Sequence, residues 1–462
     1  MNSRDRYKRL INFAARIILI GFETLAFAFI WYQYYSKSAF GEDLFYRRGH
    51  WAVIGIYILI LFFFTRAFGG YKVGYLRISE VYLSQVLSIL CANVVVYIEI
   101  CAIHRDYVSP LPVFALTFVE LMIVFPWVFI SRFLFARLFP PRRLLVVFDE
   151  RSPKEIIDKI NERPDKYHVC EAINVSKGSR AVFNRIHEYD AVVLCDIRSS
   201  IRNDILKHCF YYSIRTYVTP KLSDIIITGA EGIYLFDSPL LVSRNQGLSA
   251  DQLFIKRGMD VVISLIMLVV LLPFMLVVAA AIKLYDGGPV FYYQNRLTRD
   301  GKQFRMIKFR SMRIDSETDG VKLAAKNDDR ITPVGKFLRR IHFDELPQII
   351  NVFKGDMSFV GPRPERPEIA ELYSEKIPEF NFRLKVKAGL TGYAQVYGKY
   401  NTSPYDKLKL DLTYIENYSV FLDIKIILGT FKVLFQKENT EGFDENKIIP
   451  DSRVDEVKKV EW

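Results

Sequence analysis

Metal-ligand and disulfide signatures are the first things this sequence lacks. Its five cysteines, Cys91, Cys101, Cys170, Cys195 and Cys209, form no CxxC pair and no cluster with histidine at ligand spacing. A zinc site and a disulfide framework are thereby excluded, and reduced, buried thiols are expected. A glycine-rich phosphate turn is missing too. The turn after the first strand-like run of the middle region reads FDERSP (148–153), with no glycine to bring backbone close to a pyrophosphate, so no bound dinucleotide is expected there. No nucleic-acid-binding motif accompanies the formal charge of +12, so that charge points to anionic lipid headgroups or phosphates.

What is present is a segregated composition: 51% hydrophobic residues alongside 25% charged ones in 462. Four runs, 11–35, 51–68, 81–103 and 111–139, are long and apolar enough to span a bilayer, which takes about 20 helical residues. The first follows Arg4, Arg6, Lys8 and Arg9, but it is too long for a cleaved signal peptide and has no small-residue cleavage site. Arg66, Lys72 and Arg77 separate the second and third runs, and Arg137, Arg142 and Arg143 follow the fourth. By the positive-inside rule the N-terminus and the region after residue 139 start on the cytoplasmic side, in a multi-pass membrane protein. Glu23, Glu99 and Glu120 lie inside these runs. They permit a transport path, or they face neighbouring helices or an interface.

From 141 to 242, strand-like runs (RLLVVF, AVVLCD) alternate with polar helical stretches (SPKEIIDKINER, IRNDILKHCFYYS). The alternation predicts a parallel-sheet, Rossmann-like domain without the glycine-rich loop, structural or regulatory in role. A linker occupies 243–253. The next apolar run, 261–282, is long enough for a fifth span, yet both flanks are basic: Lys256 and Arg257 before it, Lys283, Arg296, Arg299, Lys302 and Arg305 after it. A crossing would put one basic flank outside. Pro273 near its middle removes a helical N–H and favours a bend. A helix that breaks there and re-enters the same face over 256–283 is therefore expected. The rest, 254–440, reads as a helix-rich catalytic domain, and 441–462 as a charged tail. The stretches PVGKFLRRI and FLDIKIILGTFKVLF are amphipathic, suited to a membrane interface or to an ordinary core.

The chemistry-bearing stretch is RRIHFDELPQIINVFKGDMSFVGPRP (339–364). One reading of it is structural: Asp344 caps a helix, Glu345 favours its first turn, Pro347 is tolerated there and Gly355 ends it. Another reading is phosphoryl transfer. Asp344 and Glu345 are hard oxygen ligands suited to magnesium, which is held by one or two carboxylates plus substrate phosphates. Lys308, Arg310, Arg339 and Arg363 supply cations for a pyrophosphate, and a helix starting at Asp344 would add its positive end. A carboxylate can also attack phosphorus directly, provided that cations offset its repulsion from an anionic substrate.

KFRSM (308–312), DELPQIINVFKGDMSFVGPRP (344–364), KAGLTGYAQVYGK (387–399) and DLTYIENYSVFLDIKI (411–426) closely resemble the bacterial sugar transferase family, monotopic phosphoglycosyl transferases that start glycan assembly on a polyprenyl carrier. The resemblance covers about 256–437. The four spans and the Rossmann-like domain before it resemble the large, undecaprenyl-phosphate hexose phosphotransferase form.

The resemblance implies a fold of membrane helical bundle (1–140), α/β domain (141–242) and α-rich catalytic domain with a re-entrant helix broken at Pro273. Asp344 would be the nucleophile, Glu345 its partner, and both would hold Mg2+. Lys308, Arg310, Arg339, Arg363 and Gln395 would bind phosphate or nucleotide. The substrates would be a UDP-sugar, glucose or galactose, and undecaprenyl phosphate, with membrane lipids and a second copy of the chain as partners and no nucleic acid. Tyr393, Tyr397 and Lys399 depart from the family's usual Gly-Trp-Ala-Gln-Val-Asn-Gly-Arg. Two alternatives remain: a glycosyltransferase that releases UDP, and an inactive membrane scaffold for polysaccharide assembly.

Overall fold

The computed structural model describes residues 3–37, 41–45, 48–149, 152–177, 179–243, 247–313, 330–398 and 402–434. The expected tail at 441–462, Lys399 and part of the FDERSP turn lie outside these residues. The chain forms two compact units, Met1–Lys221 and Leu222–Trp462.

The first unit opens with four long helices, α1 (Ser3–Ile30, continued by a wide turn to Tyr35), α2 (Gly49–Phe68), α3 (Ile78–His104) and α4 (Leu111–Leu138). They pack along a shared seam that includes Leu19, Phe27, Trp31, Tyr57, Leu61, Ile89, Val96, Leu116 and Val124. Their outward faces are equally apolar: Leu25, Leu59, Ile98 and Phe118 are each more than 60% exposed. A helix that is apolar on every side is not solvated by water, so these faces call for lipid. With a later helix, five helices among the described residues are long and apolar enough to cross a membrane.

Next come β1 (Arg142–Phe148), α5 (Lys154–Asn161), β2 (Tyr167–Asn174), α6 (Ser179–Arg185), β3 (Ala191–Cys195), α7 (Ser199–Tyr211) and β4 (Arg215–Val218). The strands form one all-parallel sheet in the order β2-β1-β3-β4. β1 and β3 are central, and β3 is buried throughout, as strands covered by helices on both faces must be. Cys195 and Cys209 are buried here, whereas Cys170 is exposed on β2, unlike the expectation for all five thiols. β2 is an edge strand, and alternate residues along much of its length reach solvent.

The second unit begins with α8 (Leu222–Thr228) and the hairpin β5 (Glu231–Leu235) and β6 (Ser238–Val242). The sequence assigned all three to the α/β domain. Instead, Leu222 and Ile225 of α8 are buried with Leu408, Leu412 and Ile415 in the core of the second unit, because the parallel sheet ends at β4 and gives them no apolar surface.

There follow α9 (Ala250–Asp286), β7 (Phe291–Leu297), β8 (Gln303–Phe309), α10 (Pro333–Arg340), α11 (Gln348–Lys354), β9 (Ser358–Val360), α12 (Pro367–Lys376), β10 (Gly389–Thr391), α13 (Tyr393–Tyr397), α14 (Pro404–Glu416) and α15 (Val420–Leu434). β7 and β8 form an antiparallel pair, and β9 and β10 a short parallel one. α15 puts Asp423 and Ile426 in the core, so its inward face is a packing face.

α9 starts with a capping box, Ser249 and Gln252 satisfying each other's backbone N–H groups. It runs without interruption through Pro273, where a break was expected. Proline removes only one intrahelical bond, and both halves are clamped: Ile263 and Met267 pack into the main core, Leu271, Met275, Val278 and Ile282 into a second one. The remaining faces of α9, with Val262, Ile266, Val269, Val270, Phe274 and Val277, are exposed. Both ends are bonded within the same unit. Near the start, Lys256 meets Asp423 at 2.6 Å, and Asp260 accepts from Ser358 and from the Phe359 backbone N–H at 3.0 Å each. At the end, Asp286 pairs with Arg310.

Candidate active site

Three short elements bring the acidic pair to the cations. Lys308 lies on β8 and Arg339 in the last turn of α10. After α10 the chain reverses through His342, whose φ of 57° is left-handed, into a single 3₁₀ turn, Phe343–Glu345. The dyad therefore sits in this turn. Contrary to the helix start expected at Asp344, α11 begins at Gln348 after Pro347, and Gly355 ends it at φ 96°. Phe343 and Leu346, on either side of the dyad, pack with Met275 and Ile282 of α9. The carboxylates are thus seated against the long apolar helix.

Arg363 arrives from the other side, in the Gly-Pro-Arg-Pro turn after β9. Gly361 is needed there for close approach: a Cβ would meet the Lys387 carbonyl at 2.3 Å. That approach lets Gly361 N–H bond Thr391 O at 2.9 Å and Gly389 N–H bond Pro362 O at 2.9 Å, fixing the turn to β10.

One oxygen, Glu345 Oε1, accepts from both Lys308 Nζ (2.8 Å) and Arg363 Nη2 (2.9 Å). Burial works to raise the Glu345 carboxyl, but the charges of Arg363 and Lys308 outweigh it and hold it well below the usual carboxylate range. Asp344 is in the opposite state. Burial, and then the charge of Glu345, raise its carboxyl above the ordinary value, and Lys308, Arg339 and His342 offset this only in part. Neighbouring carboxylates with oppositely shifted proton affinities mark a site built for two different tasks.

Arg339 acts on Asp344 at a distance while its Nε donates to Ser311 Oγ at 2.8 Å. Arg310 lies elsewhere. Its guanidinium is buried, pairs with Asp286 and lies against Gly288, and its Nε and Nη1 have no partner. Gln395, on α13, donates a long bond to Leu390 O (3.5 Å), and its Oε1 is buried without a partner. Leu390 lines a small cleft with Glu345, Lys308, Arg363, Gln348 and Arg296.

Sequence reasoning missed the braces. Arg296 donates to Pro364 O at 3.0 Å and to Gln294, and burial brings its guanidinium down to about 10. Arg383, buried, donates to the Arg363 carbonyl at 2.9 Å and meets Asp411 at 2.8 Å. Both hold the Pro-Arg-Pro turn by its backbone. No local motif announces them, since the contacts that brace the turn join residues far apart in sequence, Arg296 to Pro364 and Arg383 to Arg363 and Asp411.

The donor set suits a hard divalent cation. Among the described residues Asp344 is in no ion pair, and Glu345 keeps Oε2 outside its bonds to Lys308 and Arg363. Among the described residues no three or more acidic, histidine or cysteine side chains converge. The coordination of a cation here would be completed by substrate oxygens and water, as magnesium's usually is.

Comparison with known proteins places the region that carries this geometry within one family. The family model described as bacterial sugar transferase matches residues 251–437. Over 257 residues the chain is 36% identical to the UDP-N-acetylgalactosamine-undecaprenyl-phosphate N-acetylgalactosaminephosphotransferase of Aeromonas hydrophila, covering 53% of this chain and 59% of that protein. Over 262 residues it is 37% identical to the UDP-glucose:undecaprenyl-phosphate glucose-1-phosphate transferase of Klebsiella pneumoniae, covering 55% of each. The chain thus spans little more than half the length of these two relatives. It also matches the exopolysaccharide production protein PSS of Rhizobium leguminosarum bv. phaseoli, 42% identical over 202 residues, 41% of this chain and 99% of that protein. With the whole of that shorter relative matched and the dyad, its cations and their braces assembled in the matched region, the chain belongs to the bacterial sugar transferase family.

Proposed function

We propose that the chain is an undecaprenyl-phosphate sugar phosphotransferase, moving a hexose-1-phosphate from a UDP-sugar to undecaprenyl phosphate through a covalent intermediate on Asp344. The observation that carries this reading is the division within the dyad. Glu345 is tied to Lys308 and Arg363, while Asp344, beside the same cations, is in no ion pair among the described residues. An unpaired carboxylate is available to attack; a neutralised one is not.

In the first half-reaction an Asp344 oxygen attacks the β-phosphorus. A phosphorus–oxygen bond forms, the bond to the bridging oxygen breaks, and UMP leaves with that electron pair. In the second, an oxygen of undecaprenyl phosphate attacks the same phosphorus, the aspartyl–phosphorus bond breaks, and Asp344 returns as a carboxylate. Lys308, Arg339 and Arg363 screen the anionic substrate. Asp344 and Glu345 would hold a magnesium ion, which when bound would neutralise charge on the pyrophosphate. Arg296 and Arg383 keep Arg363 in place. A lipid and a water-soluble substrate using one site in turn predicts ping-pong kinetics.

The names of the relatives support an undecaprenyl-phosphate acceptor. The expected sugar is glucose or galactose, and the expected role is the first step of exopolysaccharide, capsule or O-antigen type assembly. The tethering of both ends of α9 within one unit supports a helix that enters and leaves on the cytoplasmic face.

Labelled UDP-sugar is expected to leave its phosphosugar on Asp344, and Asp344→Asn to abolish turnover while membrane association persists. An active preparation from which no labelled Asp344 can be trapped refutes the covalent step. Release of UDP instead of UMP selects the glycosyltransferase reading.

A further inference from the structure

The four-helix bundle contains a polar centre that the transfer reaction does not use, and each helix contributes to it. Glu120 on α4 is fully buried. Its Oε1 accepts from Tyr57 of α2, and its Oε2 accepts from Asn93 Nδ2 of α3 at 2.6 Å. Asn93 Nδ2 also reaches Thr117 Oγ1 at 2.8 Å. Glu23 of α1 is 1% exposed, and its backbone carbonyl lies 3.5 Å from the Tyr57 hydroxyl. Phe27, one turn on, stacks on the Tyr57 ring at 4.1 Å, so the Glu23 face of α1 is turned toward Tyr57.

Two oxygens in this centre remain unanswered. Glu23 Oε1 and Asn93 Oδ1 are buried with no hydrogen-bond partner, and both side chains are at least nine-tenths buried. Glu120 accepts donors on both oxygens, the pattern of an ionised carboxylate. Among the described residues no basic side chain bonds to either glutamate. An isolated carboxylate in hydrocarbon is costly unless a positive charge is held beside it.

We propose that this centre is a binding site for one monovalent metal cation of the sodium class, held by Glu23, Asn93 and Glu120 within the bundle. All its donors are hard oxygens, which favour alkali cations over thiophilic ions. Tyr57 and Thr117 orient Glu120 and Asn93 from behind.

The test uses the full chain in lipid nanodiscs. Equilibrium binding of ²²Na⁺ is measured in choline chloride, with the transfer reaction assayed on the same sample. Saturable binding approaching one ion per chain, weakened at least about tenfold in Glu23→Gln with transfer activity retained, is expected. Absence of saturable binding to active wild-type protein overturns the site. So does binding that Glu23→Gln leaves unchanged. If Glu23→Gln fails to fold, Asn93→Leu is measured in its place, and undiminished binding in that variant likewise overturns the proposal.

Discussion

Glu120 in the helix bundle and Glu345 in the second unit each accept two hydrogen bonds, but from donors of different kinds. Tyr57 and Asn93 are neutral, whereas Lys308 and Arg363 carry charge. The contrast extends to two further acidic side chains buried in the second unit, although Asp260 there accepts from the neutral Ser358 hydroxyl and Phe359 N–H. Asp423 is paired with Lys256 and Asp411 with Arg383, all four side chains being buried. Neutral donors orient a carboxylate without cancelling its charge, and cations do both. Glu345, Asp411 and Asp423 are therefore electrostatically closed in the second unit, Asp344 is in no ion pair among the described residues, and Glu120 in the bundle meets neutral donors.

The comparison can be broken most forcefully at Lys256. Lys256→Met strands Asp423 in the core and is expected to destabilise the second unit by about 3–5 kcal/mol, seen in denaturant unfolding. The double change with Asp423→Leu is expected to restore most of the loss. A single variant as stable as wild type would show that the pair does not close this core. Next in size is Arg383→Met, which unpairs Asp411 and frees the Arg363 carbonyl. Transfer activity is expected to fall about 10- to 100-fold while UDP-sugar binding weakens less, as a misplaced positioning group would cause. In the bundle, Tyr57→Phe removes one neutral donor. A loss of about 1–2 kcal/mol in thermal stability with unchanged transfer activity is expected.

The finest test concerns Asp344 itself. A carboxyl raised above its ordinary value takes up its proton, and ceases to be a nucleophile, at a higher pH than a free aspartate does. The acid limb of the labelling rate should therefore lie above that of an ordinary aspartate. Glu345 contributes to the rise and Lys308 opposes it. Glu345→Gln should move the acid limb to lower pH in the residual rate, and Lys308→Met should move it to higher pH. Shifts in the same direction for both would refute the proposed coupling.

The contrast also explains what was legible in the chain. Asp344, Glu345, Arg339 and Arg363 lie within 25 residues, and local sequence could show them as one group. The apolar runs were equally plain, since hydropathy needs no partner. Arg296, Arg383 and Asp411 act through backbone carbonyls and ion pairs closed only by the fold, and an arginine in a basic region carries no mark of its partner. Pro273 misled about local helicity because packing on both halves of α9 overrides one missing hydrogen bond. The start of α11 misled because Asp-Glu before Leu-Pro reads as a cap, and the left-handed His342 that turns the pair into a separate 3₁₀ loop is invisible to composition. Asn93 and Tyr57 look like ordinary residues of apolar helices until Glu120 is seen between them.

The single oxygen of Glu345 on which Lys308 and Arg363 converge implies an internal rivalry. Whatever phosphate enters must win those two cations from a carboxylate already in possession of them, and once product departs the carboxylate takes them back. On the proposed mechanism the Glu345 carboxylate is thus an anionic placeholder for the substrate's phosphate.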